Sequence, residues 1–301
     1  MLNAMTVDLE DWAQGVLDPR SPVTHRVASN LDRVLALLDR HRVRATFFAL
    51  GRTCEALPGL LPRIRDAGHE IGSHGYGHEL VYRMTPEQFR GDVERSVRVI
   101  EAQIQERPIG YRAPAFSITP ASRWAGPILA SLGFRYDSSI FPIRKRRYGI
   151  PDAPRFPHSW PDCDLIEFPL TTLRWLGRNW PVCGGGYTRL MPAAVMAGAL
   201  RRANRLEQPG VIYLHPYELS PGEVAAFQRD GFRVTWRRRL TQELWRSRVA
   251  ARLAHLFRAF EFGPMGEVLA VRCRSGPPRC VLDPRPLPHP TDAGLALGPG
   301  S

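Results

Sequence analysis

The stretch Ala4-Met5-Thr6-Val7-Asp8-Leu9-Glu10-Asp11-Trp12 decides how the rest of the chain reads. It begins as a short, mostly apolar run of the length of a buried strand, and ends in three carboxylates, Asp8, Glu10 and Asp11. Carboxylates crowded at a strand end repel one another, so at least one needs a cation, an arginine or a proton beside it. Working outward, similar apolar runs recur at 45–50, 69–73, 109–112, 134–137, 165–168 and 211–215. Amphipathic helices are expected between them. Leu31, Val34, Leu35 and Leu38 fall at helical spacing. Thr85, Pro86 and Gln88 form a capping box, after which Phe89, Val93, Val97, Ile100 and Ile104 line one face. A third helix starts at Pro192 and is expected to bury Val195, Met196, Ala199, Leu200, Ala203 and Leu206. A fourth, after Thr241, uses Trp245, Val249, Leu253, Leu256 and Phe260. This alternation predicts an α/β fold on a parallel sheet, open or closed into a barrel. Residues 143–164 and 174–188 read as long loops, the second carrying Gly184-Gly185-Gly186 among Trp175, Trp180 and Tyr187.

The 301 residues are 44% hydrophobic and 23% charged, which excludes a disordered chain, a collagen-like chain and a small disulfide scaffold. The net charge is +12, and Lys145 is the one lysine. From Arg233 to Arg258 eight arginines face Glu243 alone, so this stretch holds +7 of the +12. A nucleic-acid surface would need those arginines on one face with stacking aromatics. Because Trp245 is expected in an apolar helix face, no nucleic-acid partner is expected. A weak association with an acidic glycan or a membrane surface through Arg233–Arg258 is kept open. Five cysteines, an odd number with no CxxC pair, suit free thiols in a reducing cytoplasm. The first residues show no basic stretch followed by a long apolar run, so no leader is expected.

Three further clusters follow strand candidates, where parallel α/β folds place their chemistry. In Gly72-Ser73-His74-Gly75-Tyr76-Gly77-His78, two histidines four apart can chelate one ion, and the glycines make the segment a shaped loop. In Tyr111-Arg112-Ala113-Pro114-Ala115-Phe116, an arginine at a strand end can hold a carboxylate. In Ile212-Tyr213-Leu214-His215-Pro216-Tyr217-Glu218, a histidine ends an apolar strand with a carboxylate three residues on. Each alone has an ordinary structural reading: a solvated cap, a surface turn, a salt bridge, a core histidine. Together they supply metal ligands, a base, an arginine to orient it and an acid, the inventory of metal-assisted amide or ester hydrolysis.

In this order, TVDLED, ATFF, HEIGSHGYGH, GYRAPAF, YDSS and YLHPYEL resemble the polysaccharide deacetylase family (NodB homology, carbohydrate esterase family 4), over about residues 5–219. PVCGGGYTRLMP with the later HPYEL resembles the exosortase- and exopolysaccharide-associated subgroup, which carries an extra C-terminal region. The resemblance implies a distorted (β/α)7-type barrel, a divalent metal (usually zinc) and removal of N-acetyl groups from an amino-sugar glycan. It implies Asp8 as base, His74 and His78 as metal ligands, Arg112 as the residue orienting the base and His215 as acid. Pro114, Phe116 and Tyr136 would contact substrate. The family pattern has two adjacent aspartates, whereas here Leu9 follows Asp8. Strand alternation puts Glu10 on the face of Asp8, while residue type and a turn after the strand favour Asp11. Asp11 is preferred as third ligand, with Glu10 as the alternative. The expected organisation is a catalytic barrel over 1–222, a basic extension over 223–274 and a disordered Pro/Gly-rich tail over 275–301. A small-molecule amide hydrolase and an inactive glycan-binding homologue are the competing functions.

Overall fold

The computed structural model describes residues 1–145 and 147–274. The expected tail at 275–301 lies outside the described residues. The strands are β1 (Asn3–Leu9), β2 (Thr46–Ala49), β3 (Glu70–Ser73), β4 (Gly110–Tyr111), β5 (Tyr136–Asp137), β6 (His158–Ser159), β7 (Ile166–Glu167), β8 (Thr172–Trp175), β9 (Arg178–Pro181), β10 (Val211–Leu214) and β11 (Phe262–Gly263). Pairing runs β10-β1-β2-β3-β4-β5-β7-β6, with β11 beside the start of β1. All of it is parallel except β6 against β7. The result is a curled parallel sheet: the alternation anticipated the parallel sheet, and the family resemblance its distorted-barrel form. Between the last parallel strand, β7, and β10 the curl is bridged by Thr171. Its N–H donates to the Val211 carbonyl (3.3 Å), and the Val211 N–H donates to its Oγ1 (2.7 Å).

Both faces of a parallel sheet must be covered, which is why β1 and β2 are buried at every position. Inside the curl lie Phe48, Phe116, Tyr136, Phe141, Phe168 and Tyr213. Outside, the helices Arg26–Arg40, Ala193–Arg205 and Val249–Ala259 press Leu31, Val34, Met196, Leu200, Leu253 and Leu256 onto the sheet. The helix Pro86–Ile104 starts at the predicted box: Thr85 Oγ1 accepts from the Gln88 N–H (3.2 Å) and Gln88 Oε1 from the Thr85 N–H (2.8 Å). Losing such a cap costs about 1 kcal/mol.

Four sequence expectations change. The stretch 174–188 is not a loop throughout: β8 and β9 form a hairpin whose Leu176 and Gly177 both have positive φ, the two-residue turn that matches strand twist. The glycines after it serve packing, because a Cβ at Gly184 would lie 1.9 Å from the Tyr213 ring. Val195 and Leu206 are exposed rather than buried on the helix Ala193–Arg205. Trp245 adopts a left-handed backbone, ends the preceding helix and is exposed; the apolar face begins only at Val249.

Candidate functional site

The chemistry-bearing side chains meet at the C-terminal ends of β1, β3, β4, β5 and β10. Strand alternation on β1 points Thr6 and Asp8 into the curl. Arg112, directly after β4, is fully buried and reaches both: Nη1 donates to Asp8 Oδ1 (2.7 Å) and to Thr6 Oγ1 (2.8 Å). Its Nε donates to the Ser138 carbonyl (3.1 Å) and Nη2 to Ser138 Oγ (2.9 Å). The guanidinium lies 4.3 Å from the centre of the Phe48 ring, so it is fixed on every side. Asp8 Oδ2 is left facing His215, whose Nε2 is 3.9 Å away.

Glu10 is the carboxylate that joins the histidines. Its Oε2 lies 2.7 Å from His78 Nε2 and 3.7 Å from His74 Nε2, and all three side chains are buried. Asp11 turns elsewhere: its Oδ2 accepts from the Thr24 N–H (2.6 Å), tying down the chain before the first long helix. The preference for Asp11 is therefore corrected to Glu10. Alternation persists one residue past the end of β1, and the longer glutamate arm spans to the imidazoles. Burial would raise the Glu10 carboxyl, but the imidazoles of His78, His74 and His215 hold it well below the usual carboxylate range.

The loop from His74 to His78 is held in an uncommon conformation. Gly75 and His78 both have positive φ, which for a residue with a Cβ costs about 1–2 kcal/mol. Asp92, on the helix Pro86–Ile104, stabilises the bend by accepting from the N–H groups of Tyr76 (2.8 Å) and Gly77 (3.0 Å). The His74 Nδ1 hydrogen goes to the Arg112 carbonyl (2.7 Å). A carbonyl can only accept, so Nδ1 carries the hydrogen and Nε2 is the ring nitrogen turned toward Glu10. Glu10 Oε2, although buried, meets no hydrogen-bond donor in suitable geometry. Two imidazole nitrogens grouped with a buried carboxylate oxygen that has no hydrogen-bond partner are a donor set that fits a cation.

His215 follows β10 and stacks on Tyr217, with ring centres 4.9 Å apart. Its Nδ1 lies 3.6 Å from Glu218, whose Oε2 also accepts from the His215 N–H (3.2 Å). Burial alone would lower the imidazole pKa, but Glu218, Glu10 and Asp8 outweigh it and raise it to about 9. Pro114 and Phe116 line the same region: a Cβ at Gly75 would come within 3.9 Å of Pro114, and the Phe116 ring centre is 5.6 Å from the Arg112 guanidinium. Tyr136 does not. Its ring is fully buried between Phe48 and Phe168, with its hydroxyl beside Thr46 and Glu70 at the starts of β2 and β3, the opposite end of the curl. The backbone N–H groups of Tyr136 and Ser138 donate to the Ile109 and Tyr111 carbonyls.

Thr6, Ser138 and Asp92 belong to the site although the motifs gave them no role, whereas Glu218 is the carboxylate the motif placed three residues after His215. The first could have been found from its period-two offset to Asp8. Asp92 has no local signal, since it reaches the loop from a helix more than a dozen residues on.

Residues 21–136 match the polysaccharide deacetylase family, and residues 138–270 match a family described as a domain of unknown function, DUF3473. The border between the two matches falls inside β5. A peptidoglycan deacetylase of Helicobacter pylori is 34% identical over 146 residues, 48% of this chain and 46% of that protein. A peptidoglycan deacetylase-like protein of Gibberella zeae is 31% identical over 170 residues, 56% of this chain and 45% of that protein. The chain thus spans less than half the length of these curated relatives. A crystal structure from Mycobacterium smegmatis, described as a candidate polysaccharide deacetylase, shares the fold with a TM-score of 0.59 at 22% identity, over 95% of this chain and 93% of that one.

Proposed function

We propose that this chain, whose residues 21–136 match the polysaccharide deacetylase family, hydrolyses the N-acetyl amide of an amino-sugar glycan. The observation that carries this reading is the convergence of an arginine-held Asp8, His215 and the Glu10–His74–His78 cluster at one end of the curl. Glu10, His74 and His78 would hold a divalent cation, with zinc favoured by the two imidazoles. Such an ion supplies Lewis acidity toward the acetyl carbonyl and lowers the pKa of a water toward ~7.

The protein groups then have distinct tasks. Asp8 Oδ1 is occupied by Arg112, so Oδ2 takes the proton from the attacking water. Arg112 holds Asp8 in place through Oδ1 and so aims Oδ2. His215 Nε2 gives a proton to the departing sugar nitrogen, with its ring held between Tyr217 and Glu218. A pure glycan-binding role would need none of these groups aligned. The relatives' names favour peptidoglycan as the glycan, while the subgroup resemblance favours an exopolysaccharide or its precursor. Acetate release from N-acetylated oligosaccharides of each class tests the reading. Release abolished by chelator, restored by zinc and absent in Asp8→Asn supports it. No release from any such glycan by metal-loaded protein overturns it.

A further inference from the structure

The helix Trp236–Glu243 buries none of its residues. Trp236 and Leu240, four apart, share one face and are 70% and 58% exposed. Leu244 and Trp245 follow directly and are exposed as well. Four large apolar side chains exposed within ten consecutive residues mark this segment as an interaction surface. The helix is attached by its C-terminal end: Arg189 donates to the carbonyls of Thr241 (2.9 Å) and Gln242.

The arginines of this region fall into two groups. Arg246 is buried and donates to the carbonyls of Tyr217 and Gln242. Arg252 donates to those of Thr188 and Arg189. Arg233, Arg237, Arg238, Arg239, Arg248 and Arg258 are exposed. Glu243 is turned away from them: its Oε2 lies 3.7 Å from Nε of the buried Arg246, and its carboxylate accepts from the N–H groups of Val224 (2.7 Å) and Gly222 (3.0 Å). On a helical wheel Arg237 and Arg239 lie about 80° to either side of the centre of the Trp236–Leu240 face. Arg237 also lies over the Trp236 ring, 5.4 Å from its centre.

We propose that this segment rests the protein on an anionic bilayer surface, with Trp236, Leu240, Leu244 and Trp245 at the boundary of head groups and acyl chains and the arginines on lipid phosphates. An acidic polymer would satisfy the arginines but offers nothing to two leucines. An apolar protein groove would take the leucines and strand the cations. Only a surface that is apolar below and anionic above serves both. No described helix is long and apolar enough to cross a membrane, so the contact is peripheral.

The test is flotation of the full chain with vesicles of phosphatidylcholine, with and without phosphatidylglycerol, together with tryptophan fluorescence. Binding is expected only with phosphatidylglycerol, weakening as salt rises, with a blue shift of emission. Arg237→Glu and Arg239→Glu together should weaken it at least about twentyfold, at roughly fivefold or more per arginine. Trp236→Ser with Leu240→Ser should weaken it at least about tenfold and remove the blue shift. All of these side chains are exposed, so the melting temperature should not move in either variant. Wild-type binding by both variants overturns the proposal. So does loss in the arginine variant alone, with soluble polyuronate competing, because the surface would then read charge on a polymer. Neither readout depends on deacetylation.

Discussion

His74 Nδ1 donates to the backbone carbonyl of Arg112 at 2.7 Å, so a candidate ligand and the arginine that holds Asp8 are joined through one main-chain group. The link uses the backbone of Arg112 and not its side chain. Arg112→Met should therefore leave the His74 tautomer and the divalent-metal content near normal. It should nonetheless strand Asp8 as a buried, unpaired carboxylate, at a cost of about 3–5 kcal/mol in stability. Turnover should fall at least about a hundredfold as the base loses the partner that aims it. Elemental analysis, urea unfolding and acetate release on one preparation check all three. Loss of metal in this variant would show that the arginine side chain, rather than its carbonyl, organises the cluster.

Glu10 and Asp11 make a paired test. Glu10→Gln removes the charge beside His74 and His78 and should lower zinc affinity at least about tenfold, read by competition with a chelating dye. Asp11→Ala should leave zinc affinity unchanged but lose the hydrogen bond to Thr24, costing about 1–3 kcal/mol in unfolding. The opposite pattern would return the ligand role to Asp11.

That choice also marks how far the sequence could be read. Asp8, Arg112 and His215 were legible because each ends a strand and each side-chain type has few chemical uses there. Between Glu10 and Asp11, alternation and turn propensity pointed in opposite directions, and the outcome depended on the Thr24 N–H, a tertiary partner with no local signature. Tyr136 was misread because β5 has two residues, too few for a period to show which end of the curl its long ring reaches. The same limit hid the β8–β9 hairpin, whose turn lies in a run read as glycine-rich loop. The helix after Thr241 kept its periodicity on paper, but the left-handed backbone at Trp245 broke it.

Asp92 makes a third prediction. It touches neither histidine, yet it accepts both N–H groups at the crest of the loop between them. Asp92→Ala should release the strained backbone at His78 and weaken zinc binding about ten- to a hundredfold, with fold and melting temperature less affected. Asp92→Asn retains one acceptor and should recover part of the affinity. Equal zinc affinity in all three proteins would make the bend independent of Asp92.

The last prediction concerns pH. Asp137 and Glu167 are both buried beside the site scaffold. Burial raises both carboxyls, Asp137 to about 6 and Glu167, with the Asp137 charge adding to its burial, well above the usual range. The folded state therefore keeps protons that the unfolded chain gives up near pH 4. Their contribution to stability is complete below that pH and is lost as pH rises through the folded values, at about 1.4 kcal/mol per pH unit for each proton retained. Glu167→Gln mimics the protonated partner. It can still accept from the Ile140 N–H, as Glu167 Oε1 does at 2.8 Å, and can donate to Asp137. Its melting temperature should be nearly flat as pH rises above about 6, the folded value of Asp137, while the wild type goes on losing stability. A wild-type curve as flat as that of the variant would mean the two carboxylates ionise in the folded protein without penalty.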